Sequence, residues 1–374
     1  MKNIAICGNK IGRAVFDYNS IETIEMNGVP LRCGLIHTKD THFDRNHPEN
    51  RFSVLVKKRA FSCNYRDKNL ILKMATRGSE DSFYVVGSDF VGEVIDTGSE
   101  VTGLQIGDRV IGNNAYPESG VKGVLPGIAT NNASKEYQVF HQVKLIKVPQ
   151  EMPHEVAAAF SIGAQTTYSM IRKLNLTQGS NVLVTAAKSN TSLFAINALR
   201  KHSVNVYATT TSMHFEEKLR AMGVKEVFLI EPMHNSLTDN QSFKKIVSDI
   251  GGFDCVFDPF FDLHLGQVIN LMAAGGRYIT CGLYDQYFDL IGQEISPLHL
   301  DGSRLMASVM LKNLQIIGNC IGQTEDLKNA IQDYASGNLN VAIDSVFSGK
   351  QVGAFFHQTY NATDRFGKVV YKYD

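Results

Sequence analysis

The sequence of 374 residues lacks three features that mark large classes of protein. Its 37 basic and 37 acidic residues give a net charge of zero, so its charge carries no signature of binding to nucleic acid or to an anionic membrane. No apolar run approaches the ~18 residues that a membrane span requires. Residues 1–18 show neither the apolar stretch nor the cleavage site of a secretory signal. We therefore expect a cytoplasmic protein.

The metal-binding side chains also lack a pattern. The cysteines include no C-x-x-C pair, and the eleven histidines show no H-x-x-x-H spacing. A zinc site built from cysteine needs closely spaced thiols, whereas scattered cysteines in a chain of this size are typical of reduced thiols. The sequence therefore predicts no metal site from its six cysteines, which are Cys7, Cys33, Cys63, Cys255, Cys281 and Cys320.

The pattern of apolar runs and turn residues divides the chain into three parts. Residues 1–155 contain short Val- and Phe-rich runs broken by glycine and charged turns, which indicate a β-rich domain with a long loop at 113–135. Residues 156–320 alternate helical segments with six apolar runs, which predicts a doubly wound Rossmann sheet of six parallel strands in an α/β fold. Residues 321–374 are expected to return to the first domain. The six runs are NVLVTAA, NVYATTT, EVFLIE, FDCVFDP, GRYITCG and LQIIGNC.

The turn after the first of these strands has no glycine. It reads LVTAAKSNTSLFAI from residue 183, whereas a dinucleotide turn uses glycines to bend, to approach pyrophosphate and to pack the helix. Ala186, Ser189 and Ser192 stand at these three places. They are small enough to pack, but they adopt a positive φ only at a cost. The helix that opens near Thr191 still offers N–H groups to an anion, and Lys188 adds charge.

The end of the second strand favours a particular nucleotide. An enzyme that uses NAD usually carries Asp or Glu there to bind the ribose 2′-hydroxyl. This chain has Thr209, Thr210, Thr211 and Ser212, followed by His214 and Lys218. Hydroxyls with a nearby cation suit a 2′-phosphate, whereas a carboxylate would repel it. If a cofactor binds, we therefore expect NADPH.

From about residue 50 to its end, the chain resembles the medium-chain dehydrogenase/reductase superfamily. The resemblance rests on the order and spacing of several segments, while the first ~45 residues look unlike the usual start of the family. It implies a GroES-like β-rich catalytic domain ahead of the Rossmann domain. The segments are SVLVKKRAFSCNYRD, VVGSDFVGEVIDTGSEVTGLQIGDRVIG, GAQTTYSMI, NVYATTTSMHFEEKLRAMG, FDCVFDP, GGRYITCG and FGKVVY.

Within this superfamily the chain resembles the zinc-independent quinone oxidoreductases and enoyl reductases. Asn64 stands where the zinc alcohol dehydrogenases place a ligand cysteine, and Gly87-Ser88-Asp89 stands in place of their Gly-His-Glu motif. The loop at 113–135 has no cysteine for a structural zinc. Cys63, one position from the ligand place, is expected to be a packed thiol. The resemblance therefore implies a metal-free enzyme.

The same resemblance suggests the site residues. Tyr65 is the candidate for donating a proton or a hydrogen bond to the substrate carbonyl, and Asn64 for orienting the substrate or the nicotinamide ribose. The Arg66-Asp67 pair is expected to brace a turn. The expected cofactor-binding residues are those of the two turns, Lys188, Ser189, Asn190, Thr191, Thr210, Thr211, Ser212 and Lys218, together with Thr166 near the domain junction, Gly282, Leu283, Gly322 and Lys368.

Without a metal to polarise a simple ketone, the expected reaction is hydride transfer from NADPH to an activated C=C bond. The substrate could be an enone, a quinone, an enoyl thioester or a dehydroamino acid such as dehydroalanine in a peptide. Two alternatives stay open, namely a carbonyl or alcohol oxidoreductase that uses tyrosine, and a non-catalytic Rossmann-fold binding protein. A homodimer through the apolar strand LQIIGNC is also expected.

Overall fold

The computed structural model describes residues 1–11, 20–39, 41–230, 241–284, 286 and 301–373. The strands are β1 (Lys2–Cys7), β2 (Glu22–Met26), β3 (Val29–His37), β4 (Ser53–Ser62), β5 (Phe83–Val85), β6 (Asp89–Thr97), β7 (Arg109–Gly112), β8 (Tyr137–His141), β9 (Leu145–Lys147), β10 (Asn181–Val184), β11 (Asn205–Thr210), β12 (Val224–Leu229), β13 (Phe253–Asp258), β14 (Met272–Thr280), β15 (Gln315–Gly318), β16 (Ile343–Ser348) and β17 (Lys368–Lys372). The helices are α1 (Tyr65–Arg77), α2 (His154–Ala157), α3 (Ser161–Leu174), α4 (Asn190–Leu199), α5 (Glu216–Ala221), α6 (Gln241–Asp249), α7 (Phe261–Val268), α8 (Gly302–Leu311), α9 (Thr324–Ala335) and α10 (Val352–Tyr360).

The described residues form two compact units. One contains residues 1–162 and 343–373, and the other contains residues 163–284 and 301–342. We call them the β-rich unit and the parallel-sheet unit. The units divide after Ile162 and Ala342, whereas the sequence analysis sets the domain boundaries after residues 155 and 320. Helix α9, which follows the second predicted boundary, thus packs within the parallel-sheet unit.

The β-rich unit contains two sheets. Strand β4 is buried at seven of its ten positions. It pairs with β6, β8 and β17 in a seven-stranded sheet, in which six strands follow the order β16-β17-β4-β6-β7-β9 and β8 pairs with β4. The unusual start of the chain forms most of a four-stranded antiparallel sheet of order β2-β3-β1-β5. Residues 113–136, between β7 and β8, contain neither helix nor strand.

Helix α1 is a feature of the β-rich unit that the strand pattern did not predict. The sequence analysis expected the Arg66-Asp67 pair to brace a turn, and the structure places both residues in the first turn of α1. The turn-like letters NYRD are a helix start: the Asp67 carboxylate accepts the backbone N–H of Asn64 at 2.8 Å, and Arg66 pairs with Asp67 at 2.8 Å. A side chain that caps a helix in this way resembles a turn in sequence.

The parallel-sheet unit has the predicted Rossmann architecture. All six predicted strands are present, and all five pairings between them are parallel, in the order β12-β11-β10-β13-β14-β15. Renumbered from β10 as the first strand, this order is 3-2-1-4-5-6, that of the doubly wound dinucleotide-binding fold. The prediction of fold class is therefore confirmed. Strand β14 begins at Met272, four residues before the apolar run GRYITCG that predicted it.

A core of apolar side chains holds the parallel sheet together. Leu183, Phe253, Val256 and Tyr278 are fully buried on strands β10, β13 and β14, as expected of strands that are covered on both faces. None of the helices in the described parts of the chain combines the length and the apolar character that a bilayer crossing requires.

Candidate active site

A polar cluster surrounds Asn64 in the β-rich unit. The Asn64 amide nitrogen donates to Ser88 Oγ at 3.0 Å and to Asp89 Oδ2 at 2.8 Å, and its Oδ1 accepts a hydrogen bond from the Lys368 ammonium at 2.5 Å. Both amide hydrogens are therefore in use. The side chain that was predicted to orient a ligand is fixed by three neighbours of the protein itself.

Asp89 lies at the centre of this cluster. Its carboxylate is fully buried, with Oδ2 3.1 Å from the Lys368 ammonium and Oδ1 accepting from Ser161 Oγ at 2.6 Å and from the Ile162 N–H at 2.9 Å. Lys368, predicted at the cofactor, is thus placed by the structure in a buried ion pair. A buried carboxylate needs such partners, because an unpaired charge in the interior is strongly unfavourable.

A second buried carboxylate, that of Asp67, supports the first turn of α1. It accepts a 2.5 Å hydrogen bond from Ser88 Oγ. Burial raises the pKa of Asp67, although the Arg66 guanidinium acts in the opposite direction. Cys63 next to it is 2% exposed, and burial raises the pKa of its thiol well above the ordinary value. This agrees with the expected packed thiol.

Tyr65 is the first residue of α1 and is half-buried. The Lys68 ammonium lies 5.9 Å from the centre of its ring. Because Asn64 and Asp67 lie on either side of it, the backbone at Tyr65 is held by the same cluster. Its role towards a substrate stays a prediction.

Metal-ligating side chains are sparse in the part of the chain that the structure describes. There, no three His, Cys, Asp or Glu residues come together as a metal site would require. Around Asn64 the possible ligands are one amide, one hydroxyl and two carboxylates. Asp89 already pairs with Lys368, and Asp67 pairs with Arg66.

The turn after β10 in the parallel-sheet unit keeps the backbone of a glycine turn without the glycine. Ala186, at the place of the first glycine, has a φ of +46°, in the left-handed region that costs an alanine roughly 1–2 kcal/mol. Helix α4 then begins at Asn190, one residue before the predicted Thr191. Ser189 is its N-cap and accepts the N–H of Ser192. One amide of the helix start is therefore satisfied by the protein.

A buried network holds this turn in place. Thr185 Oγ1 donates to Asp258 Oδ1 at 2.6 Å, and Ser192 Oγ donates to the Thr185 carbonyl at 2.7 Å. His264 Nδ1 lies 2.8 Å from the same Asp258 oxygen, and the Tyr278 hydroxyl bonds to the other. Burial alone would raise the pKa of Asp258, but His264 and these hydrogen bonds hold it below its ordinary value. The sequence analysis did not identify this network. The aspartate at the end of FDCVFDP was the available signal.

Of the predicted residues that follow β11, Lys218 shares a neighbour with the turn's lysine. Thr210 is buried and accepts the N–H of Ser212 at 3.3 Å, whereas Thr211 is exposed. Lys188 and Lys218 both lie against the ring of Phe215, at 5.7 and 5.3 Å from its centre. The structure thus brings the two predicted cations to one side chain, which the sequence analysis missed.

The remaining predicted residues of this unit have packing roles. A Cβ on Gly282 would lie 2.4 Å from the Pro259 carbonyl oxygen, and one on Gly322 would lie 2.5 Å from that of Gln165. Both glycines are thus required by close backbone approach within the protein. Thr166 is buried on α3. Leu283 follows Gly282 and is half-buried.

Comparisons with known proteins agree with this architecture. Residues 50–150 match the alcohol dehydrogenase GroES-like domain. The chain is 25% identical over 308 residues to an acryloyl-coenzyme A reductase of Metallosphaera sedula, covering 78% of this chain and 83% of the relative. It is 27% identical over 259 residues to a trans-enoyl reductase of Pyricularia oryzae, covering 65% and 68%.

A solved structure extends the likeness through both units. It is a 2-octenoyl-CoA carboxylase reductase in complex with NADP and 2-octenoyl-CoA, with a TM-score of 0.69, 20% identity and coverage of 92% of this chain and 82% of the other. Through these matches the chain is similar to proteins of the medium-chain dehydrogenase/reductase superfamily. The similarity covers the GroES-like part at residues 50–150 and the Rossmann sheet.

Proposed function

We propose that the protein is an NADPH-dependent, zinc-independent reductase that delivers hydride to an activated C=C bond. Enones, quinones, enoyl thioesters and dehydroamino acid residues are the substrate classes that fit. The similarity to an acryloyl-coenzyme A reductase and a trans-enoyl reductase supports the bond type. The single observation that carries the proposal is the turn after β10, which keeps a glycine-like backbone at Ala186 beside two cationic side chains.

The donors around this turn suit a dinucleotide. The start of α4 carries the positive end of the helix dipole, and it lies beside Lys188 and the hydroxyl of Ser189. We propose that Ser189, Asn190 and Thr191 hold the pyrophosphate. Thr210, Thr211 and Ser212 would hold the adenosine ribose, and Lys188 and Lys218, which both lie at Phe215, would hold its 2′-phosphate. Residues 209–213 include no carboxylate that would repel that phosphate.

The nicotinamide supplies the hydride. Hydride addition to the β-carbon of a conjugated alkene places negative charge on the carbonyl oxygen, and the α-carbon then takes a proton. We propose that the Tyr65 hydroxyl donates a hydrogen bond to that oxygen or the proton itself. The bonds of Asn64 to Ser88, Asp89 and Lys368 support a positioning role for it, because they fix the residue that precedes Tyr65.

Zinc independence rests on the donor set. A catalytic zinc needs three protein ligands from His, Cys or carboxylate. The Asn64 cluster offers two carboxylates, and both already have cationic partners, Asp89 in Lys368 and Asp67 in Arg66. We therefore expect activity to survive dialysis against a strong chelator and elemental analysis to find no stoichiometric zinc.

The proposal is tested by following NADPH oxidation with a panel of enones, quinones and enoyl thioesters, beside saturated ketones and aldehydes. Turnover of conjugated substrates alone supports it. Turnover of saturated carbonyl compounds would instead indicate the carbonyl or alcohol oxidoreductase. If millimolar NADPH leaves the midpoint of thermal unfolding unchanged, the non-catalytic binding protein is favoured, because a bound ligand must stabilise the folded state by RT ln(1 + [L]/Kd).

A further inference from the structure

The two lysines proposed for the cofactor phosphates come from different elements and meet at one aromatic ring. Lys188 belongs to the turn after β10, and Lys218 belongs to α5, which follows β11. Their ammonium nitrogens lie 5.7 and 5.3 Å from the centre of the Phe215 ring. Both distances are within the ~6 Å range of a cation–π interaction. Neither β10 nor β11 alone could bring these charges together.

The Phe215 ring is itself held in place. It is 4% exposed and ends a single 3₁₀ turn, Met213–Phe215, whose N-cap Ser212 accepts the His214 N–H. The His214 ring meets it edge-on, with centres 4.7 Å apart and planes at 74°. A buried ring between a capped turn and a neighbouring ring has little freedom. The ring therefore offers a fixed surface against which the long, flexible side chains of Lys188 and Lys218 can pack.

Contact with the ring offsets two costs of bringing Lys188 and Lys218 to one place, which are charge repulsion and the loss of conformational freedom. Two ammonium groups repel each other, and each lysine side chain loses conformational freedom when it is held near an anion. The negative face of an aromatic ring attracts both cations and orders their side chains before a ligand arrives. Ordering of this kind in advance increases affinity because less freedom is lost on binding.

We propose that Phe215 is a specificity-determining positioning residue, whose ring holds Lys188 and Lys218 ready for a phosphomonoester, the 2′-phosphate of NADPH. The inference rests on the proposed function, since it assigns the selection of NADPH over NADH to this ring. Phe215 does not touch the reacting atoms. It acts through the two lysines, and an aliphatic side chain of similar size cannot replace its negative face.

The test compares Phe215→Leu with Phe215→Tyr by calorimetric titration of NADPH and NADH at fixed ionic strength. We expect Phe215→Leu to weaken NADPH binding about tenfold, the scale of two cation–π contacts, with NADH binding changed less than about twofold. Phe215→Tyr keeps an aromatic face and should retain the wild-type preference. As a matched control, Phe243→Leu removes another fully buried ring of the same unit and should lower stability without changing the ratio of the two dissociation constants.

A second measurement needs no substitution at the ring. In protein labelled with ¹³C-lysine, two Cε–H signals should be shifted upfield by the ring, and Lys188→Met and Lys218→Met assign them. Adenosine 2′-monophosphate should move both signals, whereas adenosine should move neither. If neither signal responds to the monophosphate, the inference is overturned even if Phe215→Leu does not fold.

The outcomes separate the inference from the proposed function. A wild-type protein that binds neither nucleotide overturns both. A wild-type protein that prefers NADPH, with an equal preference in Phe215→Leu, overturns the role of the ring and leaves the reductase assignment standing. Loss of the preference in Phe215→Leu and its retention in Phe215→Tyr supports the inference.

Discussion

The ammonium of Lys368 lies 3.1 Å from the carboxylate of Asp89, and the two side chains are 3% and 0% exposed. The pair is completed by the Asn64 amide, which bonds to both partners. It therefore connects the last strand of the β-rich unit, β17, to the residue that precedes α1 and Tyr65. Lys368 was expected to bind the cofactor, and this contact instead places it beside Asn64, next to the proposed catalytic Tyr65.

Breaking this ion pair should strongly destabilise the β-rich unit. In Lys368→Met the Asp89 carboxylate stays buried without its cation, which costs about 3–5 kcal/mol, and urea unfolding followed by circular dichroism measures the change. The control is Arg51→Met, which breaks a pair of exposed side chains 3.8 Å apart with Glu100 and should cost less than about 1 kcal/mol. Equal, small effects of the two substitutions would mean that the buried pair contributes no more than a surface pair.

Removing the Tyr65 hydroxyl should affect turnover more than cofactor binding. We expect Tyr65→Phe to lower kcat by about 10²-fold or more, the usual contribution of a positioned proton donor, with the Kd of NADPH within about twofold of the wild-type value. Stopped-flow measurement of NADPH oxidation and nucleotide titration give the two quantities. Tyr137→Phe, on β8 of the same unit, is the control. An unchanged kcat in Tyr65→Phe removes this residue from the mechanism.

A carboxylate at the end of β11 should reverse the cofactor preference. Ser212→Asp places negative charge beside the proposed 2′-phosphate position, so we expect NADPH to bind at least tenfold more weakly relative to NADH, the result of one adverse interaction of about 1.4 kcal/mol. Ser303→Asp adds the same charge at an exposed position in the first turn of α8 of the same unit. The assignment of Ser212 fails if both variants show the wild-type ratio of dissociation constants.

Stability should fall as the pH decreases through the range in which histidine titrates. Burial lowers the pKa of His141, His154 and His202 below 6.5, and at His154 the cation of Arg109 lowers it further. The unfolded chain therefore binds more protons than the folded chain, so the stabilisation is complete above about pH 6.5 and is lost below it.

The contribution of His154 can be isolated by substitution. His154→Gln keeps an acceptor for Arg109, which lies 3.0 Å from His154 Nδ1, and should reduce the slope of stability against pH between about 7.5 and 5.5. Chemical unfolding at several pH values measures this slope. The wild-type protein, measured under the same conditions, is the reference. This comparison also separates His154 from Asp67, whose raised pKa acts in the opposite direction.

We propose that two copies of the chain pair through strand β15. Among the described strands it lies at the edge of the parallel sheet, and Ile316 on it is 42% exposed. Helix α8 adds the exposed side chains of Met306, Met310 and Leu311. An apolar edge strand needs cover, and a second copy offers the same apolar residues in return.

Charge on this edge should separate the two copies. We expect Ile316→Lys to convert a dimer to a monomer in multi-angle light scattering, whereas Ile106→Lys, at a 59% exposed position of the β-rich unit, should leave it dimeric. A wild-type protein that is monomeric at all concentrations would contradict the proposed pairing.

The six strands of the parallel sheet were readable from sequence because each is a short, nearly continuous apolar run between helical segments, and such runs are local. Helix α1 was not readable in the same way. Its start, at Asn64 and Asp67, uses residues that cap helices and also form turns, and nothing local distinguishes the two. The sequence showed that the turn after β10 departs from the glycine-rich dinucleotide pattern. The structure showed that Ala186 nevertheless has the positive φ of a glycine.

The sequence by itself determined the six strands of the parallel sheet, the fold class and the residue types available for chemistry. Tertiary structure alone decided which of those residues meet. Lys368 and Asp89 are 279 positions apart, and Lys188 and Lys218 approach Phe215 from separate elements. Hydrophobic periodicity indicates which face of an element is buried, because each buried position by itself favours an apolar residue. A hydrogen bond or a cation–π contact depends on two positions at once, and only the folded chain brings them together.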